Sequence, residues 1–211
     1  TFHNGDTLTA EDVKASIEYA KSYDRTSTYT SAISEVQVVD DNTVKIITSA
    51  PAPNLLFDLG YHFNCILPHS LIESGNDFNA NPVGTGPYKL ESWDVGQSIT
   101  LVKNPDYFAG AANIDTIVFK IVTDSNAKAM QLQTGELDLA QVTPKDAASF
   151  EGKAGYTVYD MTTSDYRGIL YNFNNTYWQE NADLIPAISC AIDRQAIVDA
   201  VLLGRGEVAY S

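Results

Sequence analysis

The sequence predicts an α/β fold of mixed α+β character, and three patterns support that prediction. Val13, Ile17 and Ala20 recur at nearly helical spacing within residues 9–22, which is typical of a helix with one apolar face. Further along the chain, short apolar runs bounded by Asp, Asn, Gly or Pro recur, as in chains built from short strands. Within residues 125–140 a helical pattern ends in a glycine and continues into an apolar run. This order of helix, glycine and strand indicates a parallel sheet.

In the first region, residues 1–83, the clearest local signal is the start of the helix at 9–22. Thr9 and Asp12 form a near capping box, with Asp where Glu or Gln is usual. The segment 22–31 is rich in Ser and Thr and predicts a loop. The other elements predicted here are strands at 35–39 and 43–48 with a tight turn at 40–42, a short helix at 54–60 and a turn-rich segment at 68–81.

The second and third regions, residues 84–170 and 171–211, are predicted to combine strands with three helices. One helix is capped by Ser125 and runs to Gln133, and an apolar helix begins near Pro186 and ends at Gly204. The remaining predicted elements are strands at 88–93, 98–102, 116–121, 137–140, 156–161 and 166–173, and a helix at 144–150.

Composition and charge argue against nucleic-acid binding and against a membrane span, and the two cysteines form no recognisable motif. Lys and Arg number 13 against 27 Asp and Glu, a net charge of −14, so no nucleic-acid partner is expected because the chain repels phosphate. No run of about eighteen apolar residues predicts a membrane span. Cys65 and Cys190 form no CxxC motif, and Cys190 is predicted to be a buried free thiol. A disulfide between the two is the alternative.

The most informative stretch is residues 81–108, NPVGTGPYKLESWDVGQSITLVKNPDYF. Gly84 and Gly86 allow backbone angles that are closed to other residues, and Pro87 fixes φ. The stretch closely resembles the central motif of the family 5 extracellular solute-binding proteins, the peptide-, dipeptide- and nickel-binding receptors of ABC importers. Other segments on both sides of this stretch also resemble the family and occur in the same order as in the family. They are FHNGDTLTAEDV at 2–13, ISEVQVVDDNTV at 33–44, LQTGELDL at 132–139 and AISCAIDRQAIVDAV at 187–201.

The resemblance implies a two-lobe fold of the type II periplasmic-binding-protein kind. Residues 1–83 then correspond to a small subdomain inserted in lobe I, 84–170 to part of the lobe I sheet, and 171–211 to the inter-lobe crossing strand and the first helix of lobe II. The sequence is then expected to be a piece of a longer protein, with the charged residues that fix peptide termini in the other half.

The resemblance also implies a function. It predicts a receptor that captures oligopeptides or dipeptides outside the cell, is anchored as a lipoprotein through a segment absent from this chain, and delivers its ligand to ABC permease subunits. Nickel complexes and oligosaccharides are alternative ligands, and a solute-sensing regulator is an alternative role. No enzymatic activity, cofactor or metal is expected.

Ligand contact is predicted for six residues in three places. Tyr29 resembles an aromatic of the family's small subdomain and offers both a stacking face and a hydroxyl. The alternative for Tyr29 is an exposed loop tyrosine. The second group is Tyr61, His62 and Phe63, at the inferred mouth of the cleft, for which ordinary core or rim aromatics are the alternative. The third group is Tyr171 and Asn172, on the inferred crossing strand.

Catalytic and metal motifs find little support in the sequence. Neither GxGxxG nor GxSxG is present, so a dinucleotide loop or a hydrolase elbow is not indicated. His3, His62 and His69 are too scattered for a local metal motif. Glu136 and Asp138 are spaced to share one face of a strand, as in a glycoside hydrolase pair, but a solvated pair is the favoured interpretation.

Overall fold

A computed structural model of the chain describes residues 1–161, 163 and 165–209. It contains two compact units, Thr1–Ile121 and Val122–Ser211, which are described separately below. The predicted region boundaries at 83/84 and 170/171 remain predictions, and residues 210 and 211 of the third region lie outside the described part. No helix in that part is both long and apolar enough to cross a membrane.

Helix α1, Ala10–Lys21, begins and ends where the sequence predicts a helix. Thr9 is its N-cap, and the carboxylate of Asp12 accepts a hydrogen bond from the backbone N–H of Thr9 at 2.7 Å, so the predicted capping box is confirmed. Ile17 and Ala20 of the apolar face are buried. The backbone N–H of Ala10 donates to the carbonyl of Asp41, which satisfies one of the free donors at the start of the helix.

The hairpin predicted after this helix is also confirmed. Strands β1, Ile33–Asp40, and β2, Thr43–Thr48, pair antiparallel, and the side chain of Asp40 accepts from the backbone N–H of Asn42 in the turn. Ile33 and Val36 of β1 pack with Ile17 of α1 in the core of the first unit. The hairpin therefore forms a layer against which α1 buries its apolar face.

The loop predicted at 22–31 is wrong, because most of this segment is helix α2, Asp24–Thr30. Ser and Thr are weak helix formers because their hydroxyls compete for backbone groups. Here those hydroxyls bond carbonyls without opening the helix: Ser27 donates to Asp24 and Thr30 to Ser27. Thr30 is fully buried, so packing overrides the low local propensity.

Three short helical elements follow β2. The predicted helix at 54–60 is confirmed as α3, Leu55–Leu59, whereas the segment predicted only as turns contains helix α4, His69–Glu73. Between them lies a 3-10 helix, His62–Asn64.

The second sheet is antiparallel like the first, so the described residues contain no parallel sheet and the one predicted from residues 125–140 is wrong. Strands β3, Tyr88–Asp94, β4, Ser98–Lys103, and β5, Thr116–Lys120, lie in that order and agree with their predicted positions. Gly96, with φ of 81°, forms the tight turn between β3 and β4. Strands joined by so short a turn pair antiparallel, since a parallel pair needs a long crossover.

Helix α5, Ser125–Thr134, confirms the predicted helix but not its cap. The side chain of Asp124, rather than Ser125, accepts the hydrogen bond from Ala127 N–H at 2.7 Å. Gly135 ends the helix in the left-handed conformation, as predicted. The residues after it, 137–140, form no strand.

The remainder of the second unit is helical or irregular. Helix α6, Pro144–Phe150, is confirmed, but the predicted strands at 156–161 and 166–173 are wrong within the described residues. A strand needs a hydrogen-bonded neighbour, and these segments stay exposed: Tyr159 is 76% and Leu170 92% accessible.

The single helix predicted from Pro186 to Gly204 is two helices, α8, Leu184–Ala191, and α9, Arg194–Val201, which follow α7, Thr176–Glu180. The side chain of Asp193 accepts from Ala196 N–H and starts α9, which explains the break. Cys190 is a free thiol but is exposed, so its predicted burial is wrong; Cys65 is also a free, exposed thiol, and the alternative disulfide is not formed in this structure.

Candidate functional site

Four of the six predicted site residues meet in one group of rings in the first unit. We call Tyr29, Phe57, Tyr61, His62 and Phe63 the aromatic cluster. Tyr29 comes from α2, Phe57 from α3, and the other three from the turn and 3-10 helix that follow. Sequence reasoning placed Tyr29 in a loop, but the helix instead holds its ring against residues more than thirty positions away.

Tyr61 is the centre of the aromatic cluster. Its ring stacks on that of Tyr29, with centroids 4.7 Å apart and planes 12° from parallel. The rings of His62 and Phe57 lie 4.6 Å and 6.3 Å from it. Phe63 contacts both tyrosines, at 5.3 Å from Tyr29 and 5.6 Å from Tyr61. Aromatic pairs at these distances stabilise one another beyond the apolar area that they bury.

Part of the aromatic cluster faces solvent. Phe57 is 73% and Phe63 40% exposed, and His62 is also exposed. Such ring faces can stack on an apolar or planar group of a ligand, while the tyrosine hydroxyls can bond its polar atoms. Phe57 was missed by the sequence analysis, although its position in a predicted helix, four residues before Tyr61, could have indicated it.

The hydroxyl of Tyr29 is held neutral. Partial burial raises the pKa of Tyr29, and its interactions with Tyr61, which include a hydrogen bond, and with the carboxylate of Asp58 raise it further. The phenol is therefore a hydrogen-bond donor as well as an acceptor over the physiological range.

The chain that carries the aromatic cluster is fixed to α1 by two buried polar residues. Ser16 accepts a hydrogen bond from Leu67 N–H at 2.8 Å and donates to the carbonyl of Asp12. The carboxylate of Asp12 accepts from both the backbone N–H and the ring Nδ1 of His69, each at 2.8 Å. Because Asp12 and Ser16 lie one turn apart on the helix, the segment just after the 3-10 helix runs along its face.

The contact between Asp12 and His69 shifts the pKa values of both residues. Burial raises the pKa of Asp12, but the hydrogen bonds from His69 and Thr9 outweigh it and leave the pKa below its ordinary value. The hydrogen bond to Asp12 raises the pKa of His69, against the opposing effect of burial. Both shifts favour the ion pair.

Tyr171 and Asn172 lie in the second unit, in different surroundings. The ring of Tyr171 meets that of Trp178 edge to face at 4.7 Å, and Trp178 meets Tyr177 in the same way at 5.1 Å. Asn172 is exposed and accepts a hydrogen bond from Asn174 N–H through its side chain. The sequence analysis missed Trp178, although the adjacent Tyr177 at the start of α7 could have indicated an aromatic group there.

The Gly84–Gly86 turn is held by side chains from two distant segments. The ring of His3 donates from Nε2 to the carbonyl of Gly86 at 3.0 Å and accepts from Gly84 N–H at 3.4 Å. Asn104, only 2% exposed, donates to the same carbonyl of Gly86. The turn thus makes internal hydrogen bonds and serves as structure. His3 and His69 are both committed to such bonds, and the described residues contain no group of three potential metal ligands.

The whole chain, residues 1–211, matches the model of the bacterial extracellular solute-binding proteins, family 5 middle region. It is 32% identical to the oligopeptide-binding protein AppA of Bacillus subtilis over 99% of this chain and 40% of that protein. It is 30% identical to the probable D,D-dipeptide-binding periplasmic protein DdpA of Escherichia coli, over 98% of this chain and 41% of DdpA. The chain therefore spans about 40% of the length of these curated relatives.

Two solved structures share the fold over the full chain. The crystal structure of NikZ from Campylobacter jejuni in complex with Ni(L-His) matches with a TM-score of 0.89 and 26% identity, over 43% of its own length. AppA of Bacillus subtilis in complex with a nonapeptide matches with a TM-score of 0.85 and 32% identity, over 44% of its length. The predicted two-lobe fold class and its mixed α/β character are confirmed by these matches.

Proposed function

Because this chain belongs to family 5 of the bacterial extracellular solute-binding proteins, we propose that the whole protein is the substrate-binding component of an ABC import system. It captures oligopeptides or dipeptides outside the cell and delivers them to a membrane permease. The observation that carries the peptide class is the match, over all of this chain, to AppA with a bound nonapeptide.

The aromatic cluster is the proposed ligand contact in the first unit. Its stacked Tyr29 and Tyr61 give a rigid wall, and the exposed Phe57 and Phe63 give apolar faces. Rigid aromatic walls with a few polar groups are the usual lining of small-ligand sites. In the second unit, Tyr171 and Asn172 are the proposed contacts, with Trp178 fixing the ring of Tyr171.

The proposal involves no chemical step. The family and the relatives are binding proteins, and extracellular or periplasmic ones; we extend this to the absence of catalysis in the whole protein and to a lipid anchor that holds it at the membrane. A receptor of this kind needs only differential affinity between open and closed states, so no nucleophile or cofactor is required.

A nickel chelate is the second candidate ligand. The similarity to NikZ with bound Ni(L-His), at a TM-score of 0.89, favours it. In such a complex the histidine of the chelate already supplies metal ligands, so fewer are needed from the protein.

The test is thermal unfolding of the full-length protein with a pool of two- to six-residue peptides, and separately with nickel plus histidine and with oligosaccharides. A ligand at a hundred times its Kd adds about 2.7 kcal/mol of stability, which is easily seen as a rise in Tm. A rise with peptides alone is expected, and a rise only with nickel and histidine would replace the peptide by the chelate. No rise with any of the three would contradict the proposal.

The contribution of the aromatic cluster is tested with Tyr29→Ala, which should weaken peptide binding about tenfold or more, as expected for a contact worth more than 1.4 kcal/mol. Tyr23→Ala is the matched control, because Tyr23 is a nearby tyrosine that is 51% exposed and pairs with Tyr19 outside the cluster. Equal affinities for the two variants would exclude Tyr29 from the site.

A further inference from the structure

The aromatic cluster adjoins the carboxylate of Asp58. Asp58, on α3 between Phe57 and Leu59, is half-buried, and its charge acts on the hydroxyl of Tyr29. Within the described residues no Lys, Arg or His forms an ion pair with it. A carboxylate that has lost part of its water and has no counter-charge favours the approach of a cation.

Asp58 also lines an open groove of about 300 Å³. The groove runs between α3 and the ends of the hairpin and is lined by Ser31, Pro51, Asn54 and Leu55, among others. Its size suits one long side chain. Apart from Asn54 its walls are small or apolar, and among the described residues that line it Asp58 alone carries a charge.

From this arrangement we propose that the groove and the aromatic cluster together take a cationic side chain of the peptide ligand, arginine in preference to lysine. Asp58 supplies the counter-charge, and the exposed rings of Phe57 and Phe63 supply faces on which a planar guanidinium stacks. The net charge of −14 acts in the same direction, because it raises the local concentration of cationic ligands. This inference rests on the proposed function, since it names the ligand class of that same site.

The experiment compares two hexapeptide pools that are identical except at one fixed position, which carries arginine in one pool and citrulline in the other. Citrulline keeps the planar shape and removes the charge. The two pools are mixed in equal amounts with the full-length protein, and bound peptides are counted by mass spectrometry. We expect arginine peptides to be enriched at least tenfold over citrulline peptides by the unmodified protein.

The variant Asp58→Asn should bring that ratio close to one, whereas Glu35→Gln should leave it unchanged. Glu35 is an exposed carboxylate on β1, so the control removes the same charge from the same unit without touching the groove. If Asp58→Asn does not fold, Phe57→Ala decides in its place, because a side chain that is 73% exposed can be removed with little loss of packing. It should lower the ratio by removing a stacking face.

The outcomes separate this inference from the proposed function. Retention of both pools with a ratio near one refutes the cationic subsite and leaves the peptide receptor in place. A high ratio that Asp58→Asn does not change, or that Glu35→Gln lowers equally, also refutes it. Retention of neither pool refutes the subsite, while the thermal-unfolding test with two- to six-residue peptides decides on the peptide receptor separately.

Discussion

Removal of the buried carboxylate in Asp12→Ala should locally destabilise the first unit by about 3 kcal/mol. Asp12 is 2% exposed and accepts four hydrogen bonds, two from Thr9 at 2.7 and 2.9 Å and two from His69 at 2.8 Å. Water can replace it at the Thr9 hydroxyl and at the His69 ring, whose side chain is 40% exposed. The two backbone N–H groups are less easily rehydrated, and each hydrogen bond to a charged group contributes about 1.5 to 3 kcal/mol.

The figure of about 3 kcal/mol is the lower end of that sum, because releasing Asp12 from burial recovers some desolvation energy. It is a large share of the roughly 5 to 15 kcal/mol that stabilises a typical domain. Glu11→Ala is the control. Glu11 occupies the same first turn of α1 and is exposed, so its loss should cost no more than about 0.5 kcal/mol.

The assay is native-state hydrogen exchange of the full-length protein, read on the amides of α1 and α4. A loss of about 3 kcal/mol should accelerate exchange there on the order of a hundredfold in Asp12→Ala and hardly at all in Glu11→Ala.

The pH dependence of the exchange rates gives a second test. At pH values above the ordinary pKa of 3.8, the lowered pKa of Asp12 stabilises the fold. This stabilisation is lost as the pH falls through the folded-state pKa.

The raised pKa of His69 acts in the opposite sense. Its contribution is complete below the ordinary value of 6.5 and is lost as pH rises through the raised value. Protection of α1 and α4 should therefore be greatest between about pH 4 and 6.5 in the unmodified protein, and Asp12→Ala should abolish that maximum. Exchange equally fast in both variants, or a maximum that survives the loss of Asp12, would show that the pair does not hold α4 to α1.

Three further predictions concern single residues. Asn104→Ala should destabilise the first unit by about 1 to 3 kcal/mol, because Gly86 loses a buried donor; urea unfolding followed by circular dichroism measures this, and a change below about 0.5 kcal/mol would contradict it. Ser16→Ala leaves Leu67 N–H without its acceptor and should cost about 1 to 3 kcal/mol in the same assay, while an unchanged midpoint would mean that water replaces the hydroxyl. Gly135→Ala forces a residue with a Cβ to φ of 79° and should weaken the end of α5 by about 1 kcal/mol, seen as faster exchange of its last amides; equal exchange would show that the turn relaxes.

The sequence predicted those elements whose signals are local. Helix α1 carries its own cap and apolar stripe, and the first hairpin carries its own turn residues, so both were placed correctly. Helix α2 was missed because its Ser and Thr side chains favour a loop until Thr30 is packed against the rest of the unit. Sheet direction was predicted wrongly because a helix followed by glycine and an apolar run does not specify a pairing partner, whereas the turn at Gly96 does.

The candidate site shows the same division. The family resemblance and the residue types pointed to Tyr29, Tyr61, His62 and Phe63, and the structure brings these four together. Phe57 was not predicted, because the position of a residue in a short helix, four residues before Tyr61, was the only local signal that it had. Whether the four bind ligand remains a prediction.

The bond between the ring of His3 and Gly86 has a consequence for biosynthesis. The two residues are 83 positions apart, and Asn104 must also be present before the turn is complete. At about 5 to 20 residues per second, a ribosome needs roughly 4 to 17 seconds to add that stretch. During this interval α1 and the first hairpin can already pack together, while the segment around His3 has no turn to join. The order of translation therefore favours early folding of the helix–hairpin layer and late closure of the segment that precedes it.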